Sequence, residues 1–484
     1  MAMIDELVQE RRKKLDAIKA AGIDAYPARV KRSFAIGHAL GEFEAIAASG
    51  EKISLAGRVR SLRDQGKIIF ADIEDESGKI QLVLKEDALE DLAFWRSVLD
   101  MGDFISVTGP LFSTKRGEKS LEVHELQFGG KALLPLPDKW EGLQDDDIRF
   151  RKRYLDLIAG VDLRELFRKK TVFWETFRNA LKREGFLEVE TPVLENLPGG
   201  AEAEPFRTHH NALDEDFYLR ISLELPLKRL LVGGFDKVFE IGRIFRNEGI
   251  DREHLQDYTQ LEFYWAYSDY TDVMKLTEKV YREVIEKTCG GLVTEFGGTK
   301  IDWSKKWPTV DYVEVFKKAN DIDPIVATHA ELLKKAKELK LEVEKGAGKG
   351  RLVDLIFKKT VRPSLIEPCF LVNPPVEIEP LAKRHPEKAG VVERFQIVAC
   401  GTELGKGFSE LNDPDDQRAR FEEQMKLRAA GDAEAQHLDE DFLEALQYGM
   451  PPAGGFGMSE RLFAVLMDKP VRETVFFPLM RPKK

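Results

Sequence analysis

The sequence is poor in cysteine and has no long apolar run. Three cysteines occur among 484 residues, widely spaced and without a CxxC pair. Neither a disulfide framework nor a structural zinc site is therefore expected. No apolar stretch approaches the roughly 18 residues of a membrane span. The N-terminal MAMIDELVQERRKKL is charged rather than apolar, unlike a secretory signal. These absences predict a cytoplasmic protein with no membrane partner.

The chain also lacks an excess of basic over acidic residues. The chain has 74 lysines and arginines against 85 aspartates and glutamates, a net charge of −11. This balance argues against indiscriminate nucleic-acid binding, and DNA is not an expected partner, whereas RNA needs only a local basic face. The basic run between Arg11 and Lys19 could be that face or an ordinary solvated helix surface. The segment GAGKG lacks the spacing of a Walker phosphate loop.

The stretch from Asp236 to Ala266 predicts a long hairpin. In VFEIGRIF apolar side chains fall on both faces, which is typical of a buried strand, and YTQLEFYWAY is rich in strand-forming aromatics. Arg246 and Glu248 follow the first strand, where a charged loop, GIDREHLQD, begins. Rigid strand positions suit catalytic groups. The alternative is a core hairpin in which Arg246 merely pairs with Glu248 or Glu262.

The segment GGFGMSERLFAVL, from Gly454 to Leu466, predicts a glycine-rich strand directly before a helix. That helix would start near Ser459 and have Arg461 in its first turn. Glycines allow a ligand to approach the backbone closely, and a cation at a helix N-terminus opposes the helix dipole. A bound anion would account for both features.

These two stretches resemble motifs 2 and 3 of class II aminoacyl-tRNA synthetases, and VFWETFRNALKREGF followed by LEVETPVL resembles motif 1. The stretches RFRKRYLDLI, VEIEPLAK, GFSELNDPDDQ and FPLMRP are similar to lysine–tRNA ligases of the bacterial type. The resemblance runs from about residue 5 to the C-terminus. It implies ATP-dependent activation of L-lysine to lysyl-adenylate, and transfer of the lysyl group to the 3′ end of tRNA(Lys).

Five strand-length runs lie between Ile53 and Phe128, with one helical segment after the third. This is the order of an OB-fold barrel, whose open face binds single-stranded nucleic acid. By resemblance, four residues match the family's anticodon readers: Arg63, Phe70, Gln81 and Glu125. An exposed Phe70 would stack on a base. The alternative, a core role for Phe70, fits less well because Ile69 and Ala71 take the opposite face.

These patterns predict an α+β chain in which an OB-fold β-barrel precedes a class II synthetase catalytic domain with an antiparallel sheet flanked by helices. The predicted parts are an N-terminal helical extension at 1–50, an OB-fold anticodon-binding domain at 51–135, a linker at 136–162 and a catalytic domain at 163–484 with a helical insertion at about 271–363. By resemblance, the helix and strand of Val172–Leu194 would form the two-fold interface of a homodimer.

The implied reaction is attack of the lysine carboxylate on the α-phosphorus of ATP. It depends on positioning and charge stabilisation and needs no protein nucleophile. By resemblance, Arg246 would hold the α-phosphate, Arg461 the γ-phosphate and Glu403 a Mg²⁺ ion, a cation that prefers oxygen ligands. Further candidates for Mg²⁺ are Gln396 and Glu410. The adenine would lie against Glu248, His254 and Tyr258.

The resemblance also places five residues around the amino-acid substrate: Glu224, Glu262, Tyr264, Phe408 and Glu410. A long cationic side chain entering a partly dry cavity needs carboxylates at its far end. Three acids around one cavity repel each other unless a cation lies among them, and lysine would supply it. The alternative is that Glu262 and Glu410 pair with nearby arginines or lysines of the chain.

Two positions depart from the family pattern. Lys406 stands where the family usually has asparagine, and it would repel a lysine substrate unless it turns toward Glu403 or a phosphate. Gln396 stands where the family tends to have a second metal-binding glutamate, so fewer or weaker Mg²⁺ sites are expected. Two rival functions stay open: an aspartate- or asparagine–tRNA ligase of the same subclass, and a non-catalytic RNA-binding paralogue. The latter would not need Arg246, Glu403 and Arg461.

Overall fold

The computed structural model describes residues 2–136, 145–249, 254–343, 346–431 and 435–482. The chain forms two compact units, Met1–Gln144 and Asp145–Lys484. Most of the first half of the predicted linker, residues 137–144, and the tip of the charged loop, residues 250–253, lie outside the described residues. The finer division into four parts stays a prediction.

The first unit consists of three helices followed by a barrel. The helices are α1 Ala2–Ala20, α2 Ile36–Gly41 and α3 Phe43–Ser49, and the barrel contains β1 Lys52–Asp64, β2 Ile68–Glu74, β3 Lys79–Lys85, α4 Leu92–Val98, β4 Phe104–Ser113, β5 Lys119–Glu122 and β6 Glu125–Gly130. The strand order is β1-β2-β3-β5-β4-β6, and β1 also pairs with β4, so the sheet closes. The predicted OB-fold with a helix after its third strand is confirmed.

The fifth predicted strand of the barrel is divided in two. Its first part, β5, pairs in parallel with β3 and antiparallel with β4, whereas β6 pairs with β4 further along. Alternation along β2 follows the sequence pattern: Ile69, Ala71 and Ile73 are buried inside the barrel, and Phe70 lies half-buried on the other face.

The second unit has a large mixed sheet with helices packed against it. Its elements are α5 Asp146–Arg151, α6 Arg153–Ala159, α7 Val161–Arg183, β7 Leu187–Glu188, β8 Leu194–Glu195, β9 Arg207–His210, β10 Glu215–Leu219, α8 Glu224–Val232, β11 Lys237–Phe245, β12 Asp257–Ala266, α9 Tyr270–Cys289, β13 Val293–Phe296, β14 Thr299–Asp302, β15 Thr309–Asp311, α10 Tyr312–Asn320, α11 His329–Glu338, α12 Lys349–Thr360, β16 Cys369–Val372, β17 Arg394–Ala399, β18 Thr402–Ser409, α13 Pro414–Ala429, α14 Glu440–Gln447, β19 Ala453–Ser459 and α15 Arg461–Leu466.

The eight strands of this sheet run in the order β15-β16-β17-β18-β19-β12-β11-β7. All neighbours are antiparallel except at the two edges, where β15 with β16 and β7 with β11 are parallel. The predicted hairpin is formed by β11 and β12, which pair in continuous register from Lys237 with Trp265 to Phe245 with Asp257. The glycine-rich β19 lies beside β12, and α15 follows it as the sequence predicted.

The helix α7 packs its apolar side into the core of its own chain. Phe173, Phe177 and Leu181 are buried in one cluster with residues of α9 and the sheet, so these positions do not offer the apolar surface expected for a dimer helix. The apolar side chains that stay exposed in the same segment are Val172, Leu187, Val193 and Leu194.

The segment predicted as a helical insertion is only partly helical. Between α9 and α10 the chain forms the hairpin β13–β14 and then β15, an edge strand of the large sheet. The three cysteines are all free, with Cys369 buried and Cys289 and Cys400 half-buried. In the described ranges no helix is both long and apolar enough to cross a membrane.

Candidate functional site

Arg246 is held at the end of β11 by backbone groups. Its amide nitrogen donates to the carbonyl of Gln256 at 2.8 Å, and its Nε and Nη2 both donate to the carbonyl of Ile221 at 3.3 Å. The guanidinium lies 5.7 Å from the ring centroid of Tyr258. These contacts fix the cation without neutralising its charge, so an anion remains its natural partner.

Arg461 begins α15, immediately after β19. Its Nη1 donates to the backbone carbonyl of Glu403 at 3.2 Å, and its amide nitrogen donates to Ser459 Oγ at 3.3 Å. Its Nε is buried and has no hydrogen-bond partner in the described part of the chain. A buried donor of this kind costs free energy unless a ligand satisfies it.

Glu403 and Gln396 lie together on β18 and β17. Gln396 Nε2 donates to Glu403 Oε2 at 2.7 Å. Burial by itself would raise the pKa of Glu403, but the nearby cations Arg461, Arg394 and Lys406 outweigh it and hold the pKa below its usual value. Glu403 is therefore an ionised oxygen ligand next to an amide that can supply a carbonyl oxygen.

The third Mg²⁺ candidate, Glu410, does not belong to this group, because its side chain lies in the amino-acid pocket against Lys228. No group of three or more His, Cys, Asp or Glu side chains placed to hold a metal ion occurs within the described ranges. The residues present therefore fit a cation held by Glu403 and Gln396, completed by oxygen atoms that the protein does not supply.

The three residues assigned to the adenine occupy different settings. Tyr258 lies on β12, and its hydroxyl donates to Gln260 Oε1 at 3.0 Å. Burial raises the pKa of Tyr258. The carbonyl of Glu248 accepts a hydrogen bond from Gln256 Nε2 at 3.1 Å, and the His254 side chain is exposed.

Glu262, on β12, is a buried carboxylate surrounded by uncharged donors. Its Oε1 accepts from Ser222 Oγ at 2.8 Å and from the amide of Leu223 at 3.0 Å, and also from the Gln260 side chain. Its Oε2 accepts from the hydroxyl of Tyr264 at 2.8 Å. The acid is thus fixed in one orientation by donors that carry no charge.

A lysine of the chain itself lies among the other two acids. The Lys228 Nζ donates to Glu224 Oε1 at 2.6 Å, forms an ion pair with Glu410 Oε2, and lies 5.4 Å from the ring centroid of Phe408. The expectation that only a substrate cation separates the three acids is therefore wrong. The alternative of pairing within the chain holds for Glu410, whereas the four donors to Glu262 are neutral.

The sequence contained a partial signal for Lys228. Glu224 and Lys228 are four residues apart in ELPLK, the spacing of an ion pair along one helix face. Such pairs are commonly exposed on helix surfaces, but here both side chains are buried. The second partner, Glu410, is distant in the chain, and nothing in the sequence pattern indicated it.

The pocket contains more acidic than basic side chains: Glu224, Glu262 and Glu410 against Lys228 alone. Burial raises the pKa of Glu224 to about 7 and that of Glu410 well above its usual range, although Lys228 opposes both shifts. Glu410 Oε1 has no hydrogen-bond partner among the residues described. This oxygen can pack closely against β19 because position 455 is glycine: a Cβ there would lie 2.1 Å from that oxygen and 2.5 Å from a ring carbon of Tyr264.

Lys406 forms its ion pair with Glu379, although it also lies near Glu403. Its Nζ donates to Glu379 at 2.8 Å, and Arg394 Nε lies 3.3 Å from the same carboxylate. Burial by itself would raise the pKa of Glu379, but Lys406 and Arg394 lower it. The lysine is neutralised by a buried acid, which removes the expected repulsion of a cationic substrate.

On the barrel, three of the four predicted anticodon readers share one face. Arg63 pairs with Phe70 across β1 and β2, and Gln81 of β3 pairs with Asp72, two residues from Phe70 on the same face. Glu125 lies on β6 instead, where it forms an ion pair with Lys31 at 2.6 Å.

Comparison with known proteins assigns both units to families. Residues 145–481 match the family described as tRNA synthetases class II (D, K and N), and residues 53–128 match the OB-fold nucleic acid binding domain. The chain belongs to the class II aminoacyl-tRNA synthetases. It is 45% identical over 486 residues to a lysine–tRNA ligase of Roseiflexus sp. (strain RS-1) and 45% identical over 487 residues to one of Moorella thermoacetica, with 99% of each chain covered. A lysine–tRNA ligase of Chloroflexus aurantiacus is 44% identical over 486 residues. Within its class, this chain belongs to the lysine–tRNA ligases.

Proposed function

We propose that the chain activates L-lysine with ATP and transfers it to the 3′ end of tRNA(Lys). The observation that carries the substrate assignment is the acidic pocket, where Glu224 and Glu410 share one internal ammonium and Glu262 is held by neutral donors. An aspartate or asparagine substrate would bring a carboxylate or an amide to a site where three acids already surround a single ammonium. Lysine brings a cation and restores the balance.

In the activation step, the lysine carboxylate attacks the α-phosphorus of ATP and pyrophosphate leaves. Arg246 would bind the α-phosphate, because its guanidinium is fixed by the backbone carbonyl of Ile221 and not by an acid. Arg461 would bind the γ-phosphate, and its buried Nε would gain an acceptor. Tyr258, Glu248 and His254 would orient the adenine. Positioning of this kind accounts for most of the catalysis in such a displacement.

Glu403 and Gln396 would hold Mg²⁺ against the phosphates. The ionised Glu403 supplies charge, whereas Gln396 supplies only a carbonyl oxygen after rotation of its amide. When bound, the ion would neutralise phosphate charge. The donor set favours a single cation here rather than two. Glu410 has no part in it.

The barrel would read the anticodon of tRNA(Lys) with Arg63, Phe70 and Gln81, which share one face. Glu125 supports this role less, because its register position lies on β6 and its carboxylate is paired with Lys31. Two copies of the chain would associate through the exposed apolar residues near β7 and β8, Leu187, Val193 and Leu194, rather than through the buried side of α7.

ATP–pyrophosphate exchange across the amino acids tests the proposal. Lysine is expected to drive exchange, and aspartate and asparagine are not. Arg246→Ala should abolish the exchange, whereas Arg243→Ala, an exposed arginine of the same strand paired with Asp257, should not. Exchange driven by aspartate or asparagine instead of lysine would contradict the proposal.

A further inference from the structure

The side chain of Lys228 is fully buried in α8, in contact with two acids of the amino-acid pocket. An ammonium in such a setting is costly unless its geometry and pairing are good. Here one partner, Glu224, is on the same helix, and the other, Glu410, follows β18 and is anchored by its own amide to the carbonyl of Ala453 at 2.8 Å. The lysine therefore connects two separate walls of the pocket.

The two oxygens of Glu410 have different environments. Oε2 is taken by Lys228, whereas Oε1 lies against β19 at Gly455, beside the Tyr264 ring, and has no hydrogen-bond partner in the ranges described. Oε1 is therefore the oxygen of Glu410 that Lys228 leaves unpaired. The position next to Oε2, over the ring of Phe408, is already filled by an ammonium of the chain.

We propose that Lys228 is a positioning and specificity-determining residue: it fixes the carboxylate of Glu410 and fills the inner end of the amino-acid pocket, so that the ammonium of a lysine-length substrate fits and that of a longer one does not. The inference rests on the proposed activation of lysine. The inference extends that proposed function, because Lys228 belongs to neither the predicted ATP site nor the predicted lysine contacts.

The charged groups of the amino-acid pocket also support a positioning role for Lys228. With three carboxylates and one internal ammonium, the pocket keeps an excess of acid that one substrate ammonium reduces further. Without Lys228, Glu224 and Glu410 would face each other as buried acids, and repulsion would displace the carboxylate that the substrate needs. A purely structural ion pair along α8 would involve Glu224 alone.

The first test measures pyrophosphate exchange with the full-length Lys228→Met variant. The KM for lysine should rise by at least about tenfold, and the KM for ATP should change by less than about twofold, since only lysine binding is affected. Lys131→Met is the matched control. Lys131 is also a fully buried lysine between two acids, Asp100 and Asp103, but it lies in the barrel unit. The control should leave both KM values unchanged, even if its melting temperature falls.

The second test uses substrate length. Lys228→Ala opens space at the inner end of the pocket, so the ratio of kcat/KM for homolysine to that for lysine should rise by at least about tenfold over wild type. A lysine KM within twofold of wild type in folded Lys228→Met, or an unchanged homolysine ratio, would overturn the inference.

If Lys228→Met does not fold, Lys228→Gln replaces it. Glutamine retains polar contacts without the charge and should also raise the lysine KM, and an unchanged KM would again overturn the inference. Failure of the proposed function would be seen separately, in the wild-type protein, as absence of lysine-driven exchange.

Discussion

Glu262 receives hydrogen bonds on both carboxylate oxygens, yet all of its donors are neutral. No lysine or arginine of the described residues pairs with Glu262, so its carboxylate is available to a substrate ammonium. We expect Glu262→Gln to weaken lysine binding by roughly 2–5 kcal/mol, the usual cost of removing one partner of a buried charge pair. The measurement is the KM for lysine in pyrophosphate exchange, with the KM for ATP as the internal control. An unchanged lysine KM would show that Glu262 does not contact the substrate.

Gly455 is required by the shape of the pocket. Because an added Cβ would lie 2.1 Å from Glu410 Oε1, Gly455→Ala should displace that carboxylate and strongly reduce lysine-dependent exchange. Gly457→Ala, two residues further along the same strand, is the comparison. Its Cβ would come no closer than 3.3 Å to the Glu262 side chain, so a milder loss is expected. Equal losses in the two variants would contradict this account.

Glu195, on β8, couples stability to pH. Burial raises the pKa of this carboxyl from 4.5 to about 8, and its Oε2 has no hydrogen-bond partner in the described residues. Between these two pH values the folded chain keeps a proton that the unfolded chain has released, so the free energy of unfolding falls as pH rises. Glu195→Gln removes this dependence. Its melting temperature should exceed that of wild type increasingly from pH 5 to pH 8, and a constant difference would refute the assignment.

Among the elements, the strands β1, β2 and β3 form the face on which Phe70 lies. If Phe70 stacks on an anticodon base, Phe70→Ala should weaken tRNA charging by ~1–3 kcal/mol and leave pyrophosphate exchange almost unchanged. A double-mutant cycle with a substituted middle anticodon base measures the coupling.

Phe104→Ala is the matched control for that cycle, because Phe104 is another solvent-accessible aromatic of the barrel but lies on β4. It should show no coupling to the anticodon. Additive losses for Phe70→Ala, with an unchanged circular dichroism spectrum, would make Phe70 a structural residue of the barrel.

The elements also show where sequence patterns suffice. Alternating apolar residues predicted β11 and β12, and the glycines before Arg461 predicted β19 and the start of α15, because these signals are local. Helix α7 begins at Val161, before the predicted Val172, and LEVETPVL forms only the two-residue strands β7 and β8. In these cases tertiary pairing decides the boundaries.

The candidate site shows the same difference between residues that local sequence signals predict and contacts that depend on tertiary packing. The contact of Lys228 with Glu410 depends on how α8 packs near the end of β18, which no local pattern encodes. Arg246, Glu403 and Arg461 were assigned by resemblance, and their roles stay predictions that the geometry supports.

For the whole molecule, we predict a homodimer whose interface includes the exposed apolar residues Val193 and Leu194. We expect a dimeric mass in light scattering at micromolar concentration. Leu194→Asp should shift it toward the monomer, because it places a charge in an apolar contact. Leu213→Asp, at an exposed apolar position between β9 and β10, should not. A monomeric wild-type protein with full activity would contradict the proposal.

The buried thiols make the chain a convenient host for site-specific probes. Burial raises the pKa of Cys369 to about 11 and that of Cys400 to about 12, and it also raises that of Cys289. Since the thiolate is the reactive form, all three should resist maleimide at neutral pH. A single cysteine introduced at exposed Tyr448 would then carry a fluorophore with little background labelling, with no need to remove the native cysteines first.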